Sequence, residues 1–219
     1  SCLATFCDIR KAYDRVWHAR LLFKLRNIGI NGIFYQYIKS FLSEREICTR
    51  VGRVYSDFKR IDMGIPQGSI ISPTLFTILI HDLPDILSKG TKVVQYADDV
   101  AIWVNTSLRK HTSQRMVLYV QKLYQLELDK LSLYMEENGL ELSGEKTCLL
   151  LFNNGHNPKS LPKLYIDGKI LEYKQSVKFL GVHFTSKLKW KIHIEYLLNK
   201  ARKRLNLLKV ILSQPWSQN

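Results

Sequence analysis

The chain has 219 residues, 46% of them hydrophobic, and its 33 Lys and Arg against 19 Asp and Glu give a formal net charge of +14. That length and apolar content can bury a sizeable core, as one large globular domain or a domain with an appendage. No uninterrupted apolar run of about 18 residues marks a membrane span and no signal-peptide pattern opens the chain. The positive excess is uneven: Lys187, Lys189, Lys191, Lys200, Arg202, Lys203, Arg204 and Lys209 face Glu195 alone over residues 187–219. A segment of that kind favours a polyanionic partner, nucleic acid or anionic membrane, or else is a solvated helix face. Cys2, Cys7, Cys48 and Cys148 show neither CxxC pairing nor a His at zinc-finger spacing, which reads as reduced thiols in a non-oxidising compartment.

A strand-like LATFCDI comes first, in a chain that begins without Met and reads as cut from something longer. Asp14 is placed to cap a helix through DRVWHARLLFKLRNIG that stops at Gly29. Asn31 is placed to cap a second, with Phe34, Tyr37, Ile38, Phe41 and Leu42 on one face. EICTRVGRVYSDFKRI reads as a hairpin, after which Ser72 and Pro73 open a helix carrying Leu75, Phe76, Leu79, Ile80 and Leu83. VVQYADDVAIWV, residues 93 to 104, reads as a buried hairpin turning at Tyr96-Ala97-Asp98-Asp99. A long helix is predicted over roughly 112 to 138 from Val117, Val120, Tyr124, Leu128, Leu131 and Met135, and Gly139 ends it. Three more strands follow, two of them joined by Asp167-Gly168, a type I′ hairpin signal. From about Trp190 a final helix sets Ile194, Leu198, Ala201, Leu205, Leu208 and Leu212 on one stripe and most of its basic residues elsewhere. Mixed strands with helices on one face predict an α+β fold, with the basic helix able to form a separate lobe.

Fold alone names no chemistry; carboxylates in unusual places do. One Asp at a hairpin tip is explained by its aptitude for turns. Two in succession, Asp98 and Asp99, repel and raise each other's pKa unless a cation compensates. Asp8 ends the first strand, in TFCDIRKAYD, either as a cap or turn residue or as a third carboxylate exposed at a sheet edge. Strand-tip carboxylates from distant parts of a sequence are what two hard divalent cations bridging phosphate oxygens require. Between them lies GIPQGSIISPTLF, in which Gly64 and Gly68 let backbone approach a ligand closely, Pro66 stiffens the loop, and Gln67 offers one acceptor and two donors.

The order of these segments, strand-DIRKAYD, then GIPQGSIISPTLF, then YADD, closely resembles the palm of reverse transcriptases. GLELSGEKT resembles the next palm motif, with its Lys at Lys146, and VKFLGVHF resembles the primer-grip hairpin. DRVWH, LFTILIHDLP, and FLGVHF with LKWKIHI are more similar to non-LTR (LINE-type, jockey-like) retrotransposon enzymes than to retroviral or intron-encoded ones. The resemblance spans about residues 3 to 212.

It implies a polymerase palm, an antiparallel sheet packed on helices on one face, over residues 1–172. A primer-grip hairpin over 173–186 and the start of a helical thumb over 187–219 follow, with the fingers missing. The implied activity is RNA-directed DNA polymerisation: two-metal nucleotidyl transfer from a dNTP to a primer 3′-hydroxyl. Asp8 and Asp98 would be the main metal ligands, with Asp99 completing the acidic cluster and the Ile9 carbonyl adding a ligand, for two Mg²⁺ ions or Mn²⁺ in their place. Tyr13 matches the aromatic beneath the sugar that disfavours a 2′-hydroxyl, where this subfamily more often has Phe; a core aromatic is its other reading. Gln67 and Gly68 match residues lining the incoming nucleotide, Arg10, Lys11 and Ala12 border its triphosphate, and Lys146 matches a proposed proton donor to pyrophosphate. Arg10 and Gly144 stand where relatives often have an acidic or small residue and Pro, respectively, without removing a ligand.

The implied partners are RNA template, DNA primer, dNTP and the remaining fingers, thumb and endonuclease parts of a parent polyprotein, in a nuclear setting and with no membrane. Two alternatives stand beside this reading. One is an intron-encoded or retron enzyme, whose motif usually reads GG after PQ where Ser69 follows Gly68 here; the other is an inactive nucleic-acid-binding relic. If the assignment holds, Asp8 and Asp98 lie on neighbouring strands with oxygens within roughly 6 Å. They should face one cleft that Tyr13 and Gln67 also line, flanked by the 187–212 helix.

Overall fold

A computed structural model describes residues 1–212. Its first strand, β1 (Cys2–Asp8), is buried at Leu3, Ala4, Thr5 and Cys7 and is followed by a single 3-10 turn, Ala12–Arg15, and by helices α1 (His18–Asn27) and α2 (Gly32–Leu42). A projecting ribbon pairs β2 (Arg45–Ile47) with β5 (Lys59–Ile61) and, at its tip, β3 (Arg50–Val51) with β4 (Val54–Tyr55). Then come α3 (Ser72–Ile80), α4 (Leu83–Ile86), β6 (Thr91–Tyr96), β7 (Asp99–Asn105), the long α5 (Gln114–Glu137) and β8 (Cys148–Phe152). The hairpin β9 (Tyr165–Ile166) and β10 (Lys169–Ile170), β11 (Glu172–Tyr173), the hairpin β12 (Ser176–Phe179) and β13 (Val182–Thr185), and α6 (Lys191–Leu212) complete the described chain.

The main sheet has five strands in the order β11-β8-β1-β7-β6. Its pairings are antiparallel except for β11, which lies parallel to β8. β1 occupies the centre because Leu3, Ala4, Thr5 and Cys7 need cover on both sides of the strand. One face packs on helices: Leu21 and Leu25 of α1, Phe76 and Leu79 of α3, and Leu128 and Leu131 of α5 share a core cluster with Leu3, Val100, Ile102 and Leu149. On the other face, Cys148, Leu150 and Val177 form a smaller cluster with Phe6, Phe152 and Phe184, which seats the β12–β13 hairpin on β1 and β8. The buried thiol of Cys7 is pushed up to about 12, first by burial and then by Cys148, so it is chemically inert.

Polar groups inside this core are paired. The Thr5 and Tyr124 hydroxyls are 2.9 Å apart and Tyr124 donates to the Ile102 carbonyl at 3.0 Å, which locks α5 across β1 and β7. Lys24, 2% exposed, donates to the Leu79 carbonyl (2.6 Å), Asp82 Oδ1 (2.6 Å) and the Tyr134 hydroxyl (3.0 Å), and Tyr134 in turn donates to Asp82.

Two local expectations are corrected. Asp14 caps no helix: it lies in the 3-10 turn, and α1 begins only at His18 with Trp17 as its extended N-cap. The carbonyl of Val16, which a helix capped at Asp14 would use internally, instead accepts the Gly64 N–H (2.7 Å), and that of Tyr13, just before it, accepts the Ile65 N–H (2.8 Å). The inward face of α2 is Tyr35, Ile38 and Leu42, while Phe34 is 74% and Tyr37 58% exposed. No residue of α6 is buried, and Ile194, Leu198, Leu205, Leu208 and Leu212 on its apolar stripe are each at least half exposed. Among the described residues, no helix is long and apolar enough to cross a membrane.

Candidate active site

Antiparallel pairing of β1 with β7 runs through seven residue pairs and ends with Asp8 directly opposite Asp99. β6 returns to β7 through a two-residue loop, Ala97-Asp98, closed by the Tyr96–Asp99 pair, and Ala97 takes the left-handed φ of 51° that so tight a turn demands. Asp98 is thereby held at the tip beside the Asp8–Asp99 pair. Backbone contacts fix Asp8 from the other side: its carbonyl accepts the Ser143 N–H at 2.8 Å and its own N–H donates to the hydroxyl of buried Thr147 at 3.2 Å. The adjoining bridge of Ile9 with Leu142 uses the Asp8 carbonyl and the Arg10 N–H, and leaves the Ile9 carbonyl outside its bonds.

The electrostatics follow from this crowding. Burial, then the charges of Asp98 and Asp8, hold the Asp99 carboxyl above the usual carboxylate range. Lys146 is the nearest compensating cation, its Nζ 3.7 Å from Asp8 Oδ2, although its side chain is 73% exposed. Lys146 is aimed by the tight turn in which Ser143 O accepts the N–H groups of Lys146 (3.2 Å) and Thr147 (2.8 Å).

The expected single cleft is divided in two by the carboxylate turn. Asp8, Asp99 and Lys146 line a cavity of about 250 Å³ together with Lys174, Ser176, Lys178 and Phe179 of the β12–β13 side. Asp98 lines a second, of about 430 Å³, with Tyr13, Gln67, Gly68, Ser69, Ser72 and Pro73. Among the described residues no three His, Cys, Asp or Glu side chains converge closely enough to hold one ion between them. Like charges in register repel one another, and Lys146 draws Asp8 to its own side. The chemistry of the set nevertheless suits a hard divalent cation: carboxylate oxygens on two adjacent strand ends and a backbone carbonyl beside them, while the Cys7 and Cys148 thiols that also line the cavity are held protonated by burial.

In the larger cavity the Tyr13 ring stacks on Phe76 of α3, with centroids 5.3 Å apart and planes 20° apart, which fixes the aromatic as one wall. Its hydroxyl is pushed up by burial, then by Asp98 and Tyr96. Gln67 is oriented by a residue the sequence reading assigned elsewhere: its Nε2 donates to Asp14 Oδ1 at 3.0 Å. Ser72, 1% exposed, donates to the Pro66 carbonyl at 2.7 Å and closes the same loop onto the start of α3.

The two glycines play different parts. A Cβ on Gly64, whose φ is +83°, would sit 2.7 Å from the Asp14 carbonyl oxygen, so the close approach it allows is to backbone and not to a ligand. Gly68, at φ +89°, borders open space within the cavity lining. Arg10, Lys11 and Ala12 do not reach either cavity. Arg10 is drawn to Glu141 (2.7 Å), which also binds Arg15 (2.9 Å); Lys11 adopts a left-handed φ of 47°; Ala12 is buried.

A family model for the reverse transcriptase (RNA-dependent DNA polymerase) matches residues 1–184. The chain belongs to the reverse transcriptase family. It is 30% identical over 198 residues to the RNA-directed DNA polymerase from mobile element jockey of Drosophila melanogaster, covering 88% of this chain and 20% of that protein. It is 28% identical to the jockey polymerase of Drosophila funebris (95% and 22% covered) and 26% identical to a probable RNA-directed DNA polymerase from transposon BS of Drosophila melanogaster (97% and 23%). The chain thus spans about a fifth of the length of these relatives. Its fold is similar to that of apo telomerase from Candida tropicalis truncated from its C-terminal domain, with a TM-score of 0.54 at 14% identity over 86% of this chain and 35% of that one. This reverse transcriptase domain therefore has the fold of a polymerase palm, and the family generally uses divalent metal ions.

Proposed function

We propose that this domain is the palm of a non-LTR retrotransposon polymerase that adds deoxynucleotides to a DNA primer on an RNA template. The observation that carries the reading is the Asp8–Asp99 register pair with Asp98 at the adjacent turn, flanked by a cavity walled by Tyr13, Gln67 and Gly68. We assign residues 1–172 to the palm, 173–186 to the primer-grip hairpin and 187–219 to the start of the thumb.

Asp8, Asp98, Asp99 and the Ile9 carbonyl would hold Mg²⁺, which when bound lowers the pKa of a primer 3′-hydroxyl and offsets charge developing at the α-phosphate. The rest is positioning by this chain. Tyr13, braced by Phe76, presents a rigid ring where the sugar of an incoming nucleotide would rest, leaving no room for a 2′-hydroxyl. Gln67 spends one amide hydrogen on Asp14 and keeps its carbonyl and second amide hydrogen for the nucleotide. Lys146, held beside Asp8, donates a proton to the departing pyrophosphate oxygen. Lys174 and Lys178 line the carboxylate cavity from the opposite side and suit primer phosphates there.

The test is metal-dependent primer extension on an RNA template by a full-length enzyme carrying this domain. Extension that Asp8→Ala abolishes supports the reading; a parent protein that binds template and primer yet incorporates nothing under any metal supports the inactive relic instead.

A further inference from the structure

A cavity lies at the end of the sheet opposite the carboxylates. About 820 Å³ in volume, it is floored by Cys2 and Phe152 and walled by two loops: Asn105, Arg109, Lys110 and His111 on one side, Asn153, Asn154, Gly155 and His156 on the other. Cys2 pairs with Asn105 and with Phe152 in the sheet, so the floor spans three central strands six positions along β1 from Asp8. That places it roughly 20 Å from the candidate active site.

Both walls are built by their own backbone. Leu108, fully buried, pins the first loop, where the Arg109 N–H donates to the Thr112 hydroxyl at 2.6 Å and the Thr112 N–H to the Arg109 carbonyl at 2.9 Å. In the second, the Asn153 N–H donates to the Ser186 carbonyl (2.9 Å), Asn153 Nδ2 to the His156 carbonyl (3.0 Å), and the Gly155 N–H to Asn153 Oδ1 (3.0 Å). Among the described residues, none pairs with the Arg109 or Lys110 side chain, and no lining residue is acidic. Uncompensated cations on fixed loops, interleaved with the Asn105 and Asn154 amides and an aromatic floor, suit phosphodiesters and the sugars and bases between them. The volume exceeds what one inorganic anion fills.

We infer that this cavity is a second nucleic-acid site, taking a single strand through its phosphates on Arg109 and Lys110, separate from the polymerase cleft. Such a site would hold template or product away from the reacting end and reduce dissociation between turnovers.

The test measures binding of a fluorescent 12-nucleotide single-stranded RNA to the 219-residue chain across a salt series, without dNTP. Its failure therefore leaves the polymerase reading untouched. Arg109→Gln with Lys110→Gln removes two phosphate contacts and should reduce the slope of log affinity against log salt by about 1.4 and weaken binding roughly tenfold at moderate salt. Lys89→Gln with Lys92→Gln, an equal charge loss on the edge strand and the turn before it, should change neither appreciably. Equal losses in both double variants would show a diffuse field, and no loss in the first would show no site; either overturns the inference. Displacement of the RNA by inorganic phosphate at the same phosphate concentration would reassign the cavity to a free anion and overturn the strand-binding inference as well.

Discussion

At the scale of single residues, the candidate site turns on which side chains touch and which only stand nearby. Asp14 accepts from Gln67 at 3.0 Å, so Asp14→Ala should free the amide and lower kcat/KM for dNTP about fivefold, the worth of one hydrogen bond of about 1 kcal/mol. Asp14→Asn keeps an acceptor oxygen and should restore most of it; equal damage by both variants in steady-state kinetics would make Asp14 a packing residue. Tyr13 faces the same cavity while leaning on Phe76. Tyr13→Ala should raise ribonucleotide incorporation relative to deoxynucleotide by roughly tenfold or more in a competition assay, and unchanged discrimination would return the ring to the core. The strand-end position of Asp8 and the hairpin-tip position of Asp98 were legible in the sequence from the apolar runs that flank them, whereas the part proposed for Gln67 came from the family resemblance. Asp14 was not legible, since Asp before an amphipathic run reads equally as a helix cap; only the bonds from Gly64 and Ile65 to the backbone around it show why no helix starts there.

At the scale of elements, long periodic segments were read well and the choice of face less so. α5 buries Val117, Tyr124, Leu128, Leu131 and Met135 as its spacing predicts, because 24 residues average out any one misleading side chain. α2 is short, and with apolar residues on most of its sides the pattern could not say that Tyr35 turns in and Phe34 out. The two-residue β11 rests on a parallel partner remote in sequence and carries no local signal. Packing of α1 on α4 and α5 passes through the Lys24–Asp82–Tyr134 cluster, in which burial pushes the Lys24 ammonium down. Burial opposes ionisation of Asp82 too, but hydrogen bonds from Lys24 and Tyr134 prevail and hold its carboxyl below the ordinary value of 3.8. Asp82→Ala should therefore cost about 2–3 kcal/mol, roughly 5–10 °C in Tm for a chain of this size. A depressed acid stabilises above its unfolded pKa and loses that contribution as pH falls through the folded one, so the Tm gap should be full at neutral pH and close below 3.8. A gap independent of pH in thermal melts would contradict this account of the cluster.

At the scale of the whole molecule, the net charge of +14 has two separate outlets, the lysines of the carboxylate cavity and the loops at the far end of the sheet. The sequence pointed to Lys146 in the first of these and, beyond both, to the basic α6, whose apolar stripe the described fold leaves exposed. The central claim is that Asp8 at the end of β1 and Asp98 in the β6–β7 turn hold catalytic metal, and single-turnover primer extension tests it most directly. In a full-length enzyme carrying this domain, on an RNA template at saturating Mg²⁺, Asp98→Ala should slow incorporation by at least about 1,000-fold, the several kcal/mol that metal-held charge stabilisation supplies. Template-primer affinity should stay unchanged. An Asp98→Ala rate close to that of the unsubstituted enzyme would contradict the claim.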